Sequence, residues 1–531
     1  MQSRRFKRDT RTVVTVFVGL VCLLTAISAL RWASGAEGGR SSGQDRSAQA
    51  ARPPEWPQYL VFHVRPSRQD KVLNGQAVDR MLEKLKTRGS ATRRLAFSCS
   101  ISYLNVPDTA SARQSLAQKV RKILSIAEKK NVPVVLHLDG VNWWGERPEL
   151  WNWWDPDKPG YDPQNVRNVE WYDWGAKHAV KIGWRNWGSE VRVKPQPNLL
   201  SPEFLRETDE MLRTLVPVIS EWFNNLPPNK KYLLGGVVLG WEISPYIQHY
   251  YYPDGNKYLE EHPNDDSHDP EGGIEKSIPL GYAAATVLGI WHEGSITTSD
   301  LDRIIRAYCN HITNTAGRAG LPRSKMILHG KVFEGTNSGG AQSGRGMLNR
   351  NAIEGWSLYG KMPGDLDDLL DELGGSPWAA VEVQPWGLSS DKVEKIFAHR
   401  NCRMVNIFNW SSVDHKQDVM EALRSVLEAN PELLTPPHNL RASRNGNEVR
   451  FTWQAVPNGG ATTLLISGNT RTTIGGILAE PGVSEDVTGR TEYRVELPPG
   501  TYYWMLVAES DAAGSGPSRM PTRMRWITVP E

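Results

Sequence analysis

From residue 58 onward the chain repeats one pattern eight times: a short, nearly unbroken apolar run, then a longer stretch in which helical periodicity recurs. The runs fall at 58–64, 94–100, 132–138, 235–242, 326–331, 353–359, 378–384 and 404–410. A strand without polar alternation is buried on both faces, which suits a parallel sheet covered by helices. Helical segments read as 111–130, 202–225, 299–319, 364–373, 390–400 and 415–428. Ser201 before Pro202 and Ser299 before Asp300 read as helix caps. No clear helix follows the fifth run. Eight such repeats favour a closed (β/α)8 barrel over a doubly wound sheet, spanning 56–432.

The spacing is uneven. Most of the excess length falls directly after the third and fourth runs, at 139–200 and 245–298. In a barrel of this kind those are the loops at the C-terminal rim, where binding and chemistry collect.

The flanks differ in character. Arg4, Arg5, Lys7, Arg8 and Arg11 precede an apolar run from Val13 to Leu30, and Ala33-Ser34-Gly35-Ala36 offers small residues for cleavage. Residues 1–36 therefore read as a signal peptide or, uncleaved, a membrane anchor. The expected location is secreted, periplasmic or anchored to the outer face of the cytoplasmic membrane. Residues 37–55 read as a flexible linker. The net charge of +3 owes much to those leading cations, so no basic field points to nucleic acid. Cys99, Cys309 and Cys402 lie far apart in apolar or helical contexts and read as buried, inert thiols.

Pro436-Pro437 ends the last helical segment. Strand-like runs follow at 448–454, 462–467, 491–497, 501–508 and 523–529, separated by turn residues. Over 436–531 the chain resembles a fibronectin type III domain, an all-β sandwich. Trp453 matches that family's core tryptophan. Leu497-Pro498-Pro499-Gly500-Thr501-Tyr502-Tyr503 resembles its tyrosine-corner segment, with Tyr503 as the corner. The 470–490 stretch fits less well. Such a module spaces the larger part or binds a cell-surface or matrix partner, and carries no chemistry.

Two carboxylates interrupt the barrel runs. Glu242 ends the fourth, VVLGWE, and Glu382 lies in the seventh, AAVEVQ. A charge there is costly unless it is paired or faces a wet cleft. Strands four and seven lie across the barrel mouth from each other, so the two could meet over one ligand. Arg65 or Lys331 could instead pair with them structurally.

In these positions residues 57–430 resemble the clan of retaining glycoside hydrolases that keeps an acid/base glutamate after strand four and a nucleophile glutamate on strand seven. Trp410 stands where that clan has its strand-eight tryptophan. The resemblance implies a carbohydrate substrate and no cofactor. Glu242 would protonate the leaving oxygen and then activate water, and Glu382 would attack the anomeric carbon. Carboxyls about 5–5.5 Å apart would mark retention, and about 6.5–9.5 Å inversion. The clan usually has asparagine before its acid/base; this chain has Trp241. Glu382 also sits near the middle of its run, with Gln384 at the more exposed level.

Tryptophan is over-used, with 21 residues, and nine of them lie between 143 and 187. Pyranose faces stack on such rings, although most indoles in so long a loop would pack on one another. Trp143 and Trp144 follow strand three most closely and, with Asn142, are the preferred ligand contacts. His63 and Arg65, His137 and Asp139, His329, and Tyr359 end other strands and could line the cleft. A non-catalytic carbohydrate-binding barrel remains an alternative. So does a metal-dependent hydrolase, which would need His63, His137, His329 and Asp139 to converge on one ion. The acidic run 265–269 reads as a solvated loop, with calcium as the lesser alternative.

Overall fold

The computed structural model describes residues 57–186, 190–246, 249–264, 276–331, 344–455, 460–512 and 516–531. The export segment, the linker, Trp187 and the acidic run lie outside these. Among the described residues no helix is long and apolar enough to cross a membrane.

The barrel strands are β1 (Gln58–Val64), β2 (Arg93–Ser102), β3 (Val134–Asp139), β4 (Leu234–Leu239), β5 (Met326–Leu328, resuming at Gly330–Lys331), β6 (Glu354–Ser357), β7 (Trp378–Val383) and β8 (Cys402–Ile407). Every pairing among them is parallel, and β1 pairs both β2 and β8. The ring closes through β5: Val238 pairs with Ile327, and Gly330 pairs with Trp356. The fold is a closed (β/α)8 barrel followed by an all-β region. Between the two halves of β5, His329 interrupts the strand.

Long helices cover the outside: Ala110–Lys130, Pro202–Asn225, Thr298–Arg318 and Gln417–Glu428. The expected cap at Ser201 accepts from the Phe204 amide. The expected cap at Ser299 is corrected: Thr297 caps that helix in a reciprocal box with Asp300, because the helix starts one residue sooner than the apolar periodicity does. After β5 the described connection contains only a short 3-10 turn, Arg345–Met347. Cys99, Cys309 and Cys402 are buried free thiols, and burial pushes their pKa values up.

Inside the barrel the side chains stack in layers. The lowest is apolar and includes Tyr59, Val61, Ala96, Val135, Val238, Ile327, Val381 and Met404. Above it lies a polar layer of His63, Ser98, His137, His329 and Asn406, all buried. Ser98 bonds His63 Nδ1 at 3.0 Å and Asn406 Oδ1 at 3.2 Å, and Asn406 Nδ2 donates to the Val381 carbonyl at 2.9 Å. These bonds offset the cost of burying polar groups in a barrel core.

The loops after β3 and β4 build a second, smaller core. A hairpin, Gly183–Asn186 with Glu190–Val193, stands in the first loop. Trp184 pairs in antiparallel fashion with Tyr250 of the second loop. Trp184, Tyr246, Tyr251, Tyr252 and Leu280 pack together. Glu170 is fully buried where the loops meet and accepts the Ala283 amide; burial lifts its carboxyl to about 8.

The C-terminal strands are β9 (His438–Asn445), β10 (Glu448–Gln454), β11 (Ala461–Ser467), β12 (Val483–Asp486), β13 (Glu492–Glu496), β14 (Gly500–Ala512), β15 (Gly516–Pro521) and β16 (Arg525–Val529). One sheet runs β9-β10-β13; the other runs β12-β11-β14-β15, with β16 also on β14. Trp453, Phe451, Leu464 and Trp504 fill the core between them. The hydroxyl reaching back up the chain is that of Tyr502, which donates to the Pro498 carbonyl at 3.0 Å. This corrects the assignment to Tyr503, which points to the other face of β14 because neighbouring residues in a strand alternate. The irregular 470–490 stretch docks on the base of the barrel: Ser376 Oγ donates to the Gly475 carbonyl at 3.1 Å and Arg323 Nη2 to the Ile474 carbonyl at 3.1 Å.

Candidate active site

The fourth strand stops at Leu239, sooner than its apolar run does. Gly240 then adopts φ +80°, and an added Cβ there would lie 2.5 Å from Ile243 Cγ1. This turn carries Trp241 and Glu242 over the barrel mouth, and the Ile243 amide reaches the His329 carbonyl at 2.9 Å. Glu242 itself has φ +45°. It is the one buried residue among the described non-glycine residues with positive φ. Such a backbone costs about 1–2 kcal/mol and persists where neighbours enforce it, often at functional sites.

Glu382 is the penultimate residue of β7, so it stands near the rim and not mid-strand, as its apolar run had implied. Oxygens of Glu242 and Glu382 and a ring nitrogen of His329 all lie within 4.8 Å of one another. The two glutamates are only 4% and 8% exposed. Glu242 Oε1 accepts from Ser357 Oγ at 2.7 Å, and Ser357 Oγ lies 2.9 Å from His329 Nε2. Serine has one proton to give, so a neutral His329 protonated on Nε2 completes this relay. The same nitrogen lies 3.5 Å from Glu382 Oε2, which also accepts Trp241 Nε1–H at 3.2 Å. Lys331 Nζ lies 3.9 Å from Glu242 Oε1.

Burial and the neighbouring Glu242 charge push the Glu382 carboxyl well above the usual range, against Lys331 and the Trp241 and Tyr359 donors. Burial lowers the imidazolium stability of His63, His137 and His329; His137 is brought down to about 3. All three are neutral rings at neutral pH.

The structure sorts the remaining candidates by depth. His63 and His137 lie in the polar layer beneath Trp241, with ring centroids 5.8 and 6.2 Å from its indole, and do not reach the mouth. Tyr359 is at the mouth, its hydroxyl 3.1 Å from the Phe408 carbonyl and beside Glu382. Gln384 accepts the Gly360 amide at 2.6 Å and ties the loops after β6 and β7 together. Arg65 is exposed and donates to Ser412 Oγ at 3.4 Å. Asp139 is buried and accepts the Val141 and Asn142 amides, shaping the turn after β3; Asn142 Nδ2 reaches the Trp241 carbonyl at 3.1 Å. Trp143 is half-buried under the Arg185 guanidinium, 4.0 Å away. Trp144 is buried, with its N–H on the Pro195 carbonyl and its ring on Phe204, so it holds the loop instead of facing a ligand. Trp410 packs edge-on to Phe62 at 5.0 Å, in the core between the sheet and its helices. Phe408 takes the place above the histidines, stacking on His63 at 4.0 Å and meeting Trp241 edge-on at 5.2 Å.

A centre built from His63, His137, His329 and Asp139 does not form. Among the described residues these four do not gather their ligand atoms around one point, and Asp139 serves loop amides. Among the described residues the only grouping able to hold a metal ion is Glu242, His329 and Glu382. The Lys331 ammonium beside Glu242 supplies the positive charge there and opposes a second cation.

Sequence reasoning passed over Ser357 and Phe408. Ser357 ends its strand, and in the ladder it pairs with Lys331, two residues past His329. Phe408 had no signal apart from proximity to Trp410.

No family model matches the chain, and no curated protein matches it. Among solved structures it is similar to the catalytic domain of β-amylase from Paenibacillus polymyxa, with 9% identity over 70% of this chain and 100% of that one, at TM-score 0.38. It is also similar to GH5_18 from Streptomyces cattleya in complex with GlcNAc, with 9% identity over 71% and 82%, at TM-score 0.35. An endo-β-1,4-mannanase double mutant from Cellulomonas fimi overlaps 88% of this chain and 94% of its own at 12% identity, with TM-score 0.29. Likenesses at this level do not bear on the reaction; the barrel stands on its own strand pairing.

Proposed function

We propose that the chain is an exported glycoside hydrolase that cleaves an oligo- or polysaccharide with retention of anomeric configuration. The observation that carries this reading is the approach of Glu242 and Glu382 oxygens to within 4.8 Å at the C-terminal rim of the barrel. That separation suits direct attack by one carboxylate. Oxygens this close fit the retaining spacing of about 5–5.5 Å between carboxyls better than the spacing of about 6.5–9.5 Å in an inverting pair.

In this reading Glu382 attacks the anomeric carbon, and Glu242 gives its proton to the leaving oxygen. Water then enters, Glu242 takes its proton, and the sugar–Glu382 ester breaks. Trp241 Nε1–H and the nearby Lys331 act against the burial that raises the Glu382 carboxyl, and so favour the charged form that attacks. Neutral His329 and Ser357 orient Glu242 through hydrogen bonds. The sandwich, docked at the opposite end, takes no part in the step.

The test is hydrolysis of a panel of soluble polysaccharides and aryl glycosides by the wild type, Glu242→Gln and Glu382→Gln. Glu382→Gln should be inactive on every substrate. Glu242→Gln should keep activity on aryl glycosides whose leaving group needs no proton. Full activity of both variants would reject the assignment. Saccharide binding without turnover by the wild type would favour a non-catalytic binding barrel.

A further inference from the structure

The loop after β7 sets Trp386 at the rim with 57% of its surface exposed. Large exposed side chains are scattered over most proteins, and Trp291 and Trp526 here are more exposed still. Trp386 differs in what holds it. Its ring meets Tyr359 edge-to-face, with centroids 5.6 Å apart at 78°. Tyr359 in turn sets its hydroxyl beside Glu382 and against the Phe408 carbonyl. The supporting loops are tied together by the Gly360–Gln384 bond. The indole is therefore one aromatic ring removed from Glu382, fixed in place, and open to solvent.

We propose that Trp386 is the platform of an outer subsite, stacking a pyranose ring of a saccharide chain one or more units away from the cleaved bond. This rests on the hydrolase reading of Glu242 and Glu382 and narrows it: the substrate is a chain of several sugars, and a short glycoside leaves the platform unused. An indole face matches the apolar C–H face of a pyranose, and the site floor of Trp241, Phe408 and Tyr359 continues the same aromatic surface inward.

The experiment compares wild type, Trp386→Ala and Trp386→Phe in two assays. In the first, kcat/KM is measured on oligosaccharides of increasing length and on the aryl glycoside of one sugar. Trp386→Ala should lose roughly tenfold on the longer chains, mostly through KM, and nothing on the aryl glycoside. Trp386→Phe should recover most of the loss. In the second, retardation of the intact proteins is followed in gels containing soluble mannan, starch, xylan or β-glucan. Loss of retardation in Trp386→Ala supports the platform even if the wild type hydrolyses nothing, an outcome that would overturn the hydrolase reading alone. Equal loss on long and short substrates, unchanged behaviour of Trp386→Ala in both assays, or no wild-type binding or turnover of any saccharide would overturn the platform.

Discussion

The two ends of the barrel treat buried charge in opposite ways. At the base, Arg93 is buried and satisfied by Gln58 Oε1, Glu394 and the Val426 carbonyl. Lys325 donates to the Leu234 carbonyl at 2.8 Å, and Arg403 to the Leu434 carbonyl at 2.8 Å. At the mouth, two carboxyls face each other, one on a left-handed backbone, and one is pushed far up in pKa. The cations at the base are stabilised by their acceptors, whereas at the mouth two carboxyls lie close together with Lys331 beside Glu242. Both sets are buried, so it is the partner and not burial that tells them apart.

Glu382→Gln should sharpen the contrast most. Activity should fall by more than about 10³-fold while the melting temperature rises, because the amide removes the like charge. The gain should depend on pH. The Glu382 pKa is raised on folding, so its protonated form stabilises fully below the unfolded value of 4.5, and that contribution is lost as pH rises. Calorimetry of both proteins should show the variant's advantage growing from pH 4.5 upward; a constant difference would break the argument.

Arg93→Ala should do the reverse. Removing a buried cation from its acceptors should cost about 3 kcal/mol in denaturant unfolding and leave kcat/KM of the folded fraction unchanged. Loss of activity at constant stability would erase the distinction between the two ends.

His137 gives a smaller, graded effect. Its pKa falls from 6.5 to about 3, so its neutral form contributes stability above pH 6.5 that is lost as pH falls towards 3. Raised carboxyls such as Glu170 oppose this until they are protonated in both states. The melting temperature should therefore drop most clearly between pH 4.5 and 3, and His137→Gln should flatten that drop.

Tyr502→Phe should have the least effect, about 1 kcal/mol, confined to the C-terminal sandwich and leaving hydrolysis untouched. Hydrogen exchange localised to β14 and β16 would check it.

Much of this architecture is legible in the sequence. The apolar runs located all eight strands, and the excess lengths after the third and fourth marked the loops that pack as a second core. Glu242 and Glu382 stood out because carboxylates interrupt runs that hydrophobic burial would otherwise fill. The histidines and Trp410 were less legible. Sequence position places them near strand ends, but their depth depends on where the hydrogen-bonded strand stops. Strand β8 stops at Ile407, which leaves Phe408 over the histidines and turns Trp410 into the core.

The sequence by itself determined the alternating plan, the polar residues near the strand ends and the presence of two candidate carboxyls, because period and polarity are local properties of a chain. Only the tertiary structure decided that Glu242 and Glu382 meet, that His63 and His137 lie beneath Trp241, and that Trp386 stands open beside Tyr359. Barrel closure brings together residues 140 positions apart in the chain, as Trp241 and Glu382 are nearly so. A shift of two residues in where a strand ends moves a side chain by about 7 Å, from the floor of the barrel to its rim.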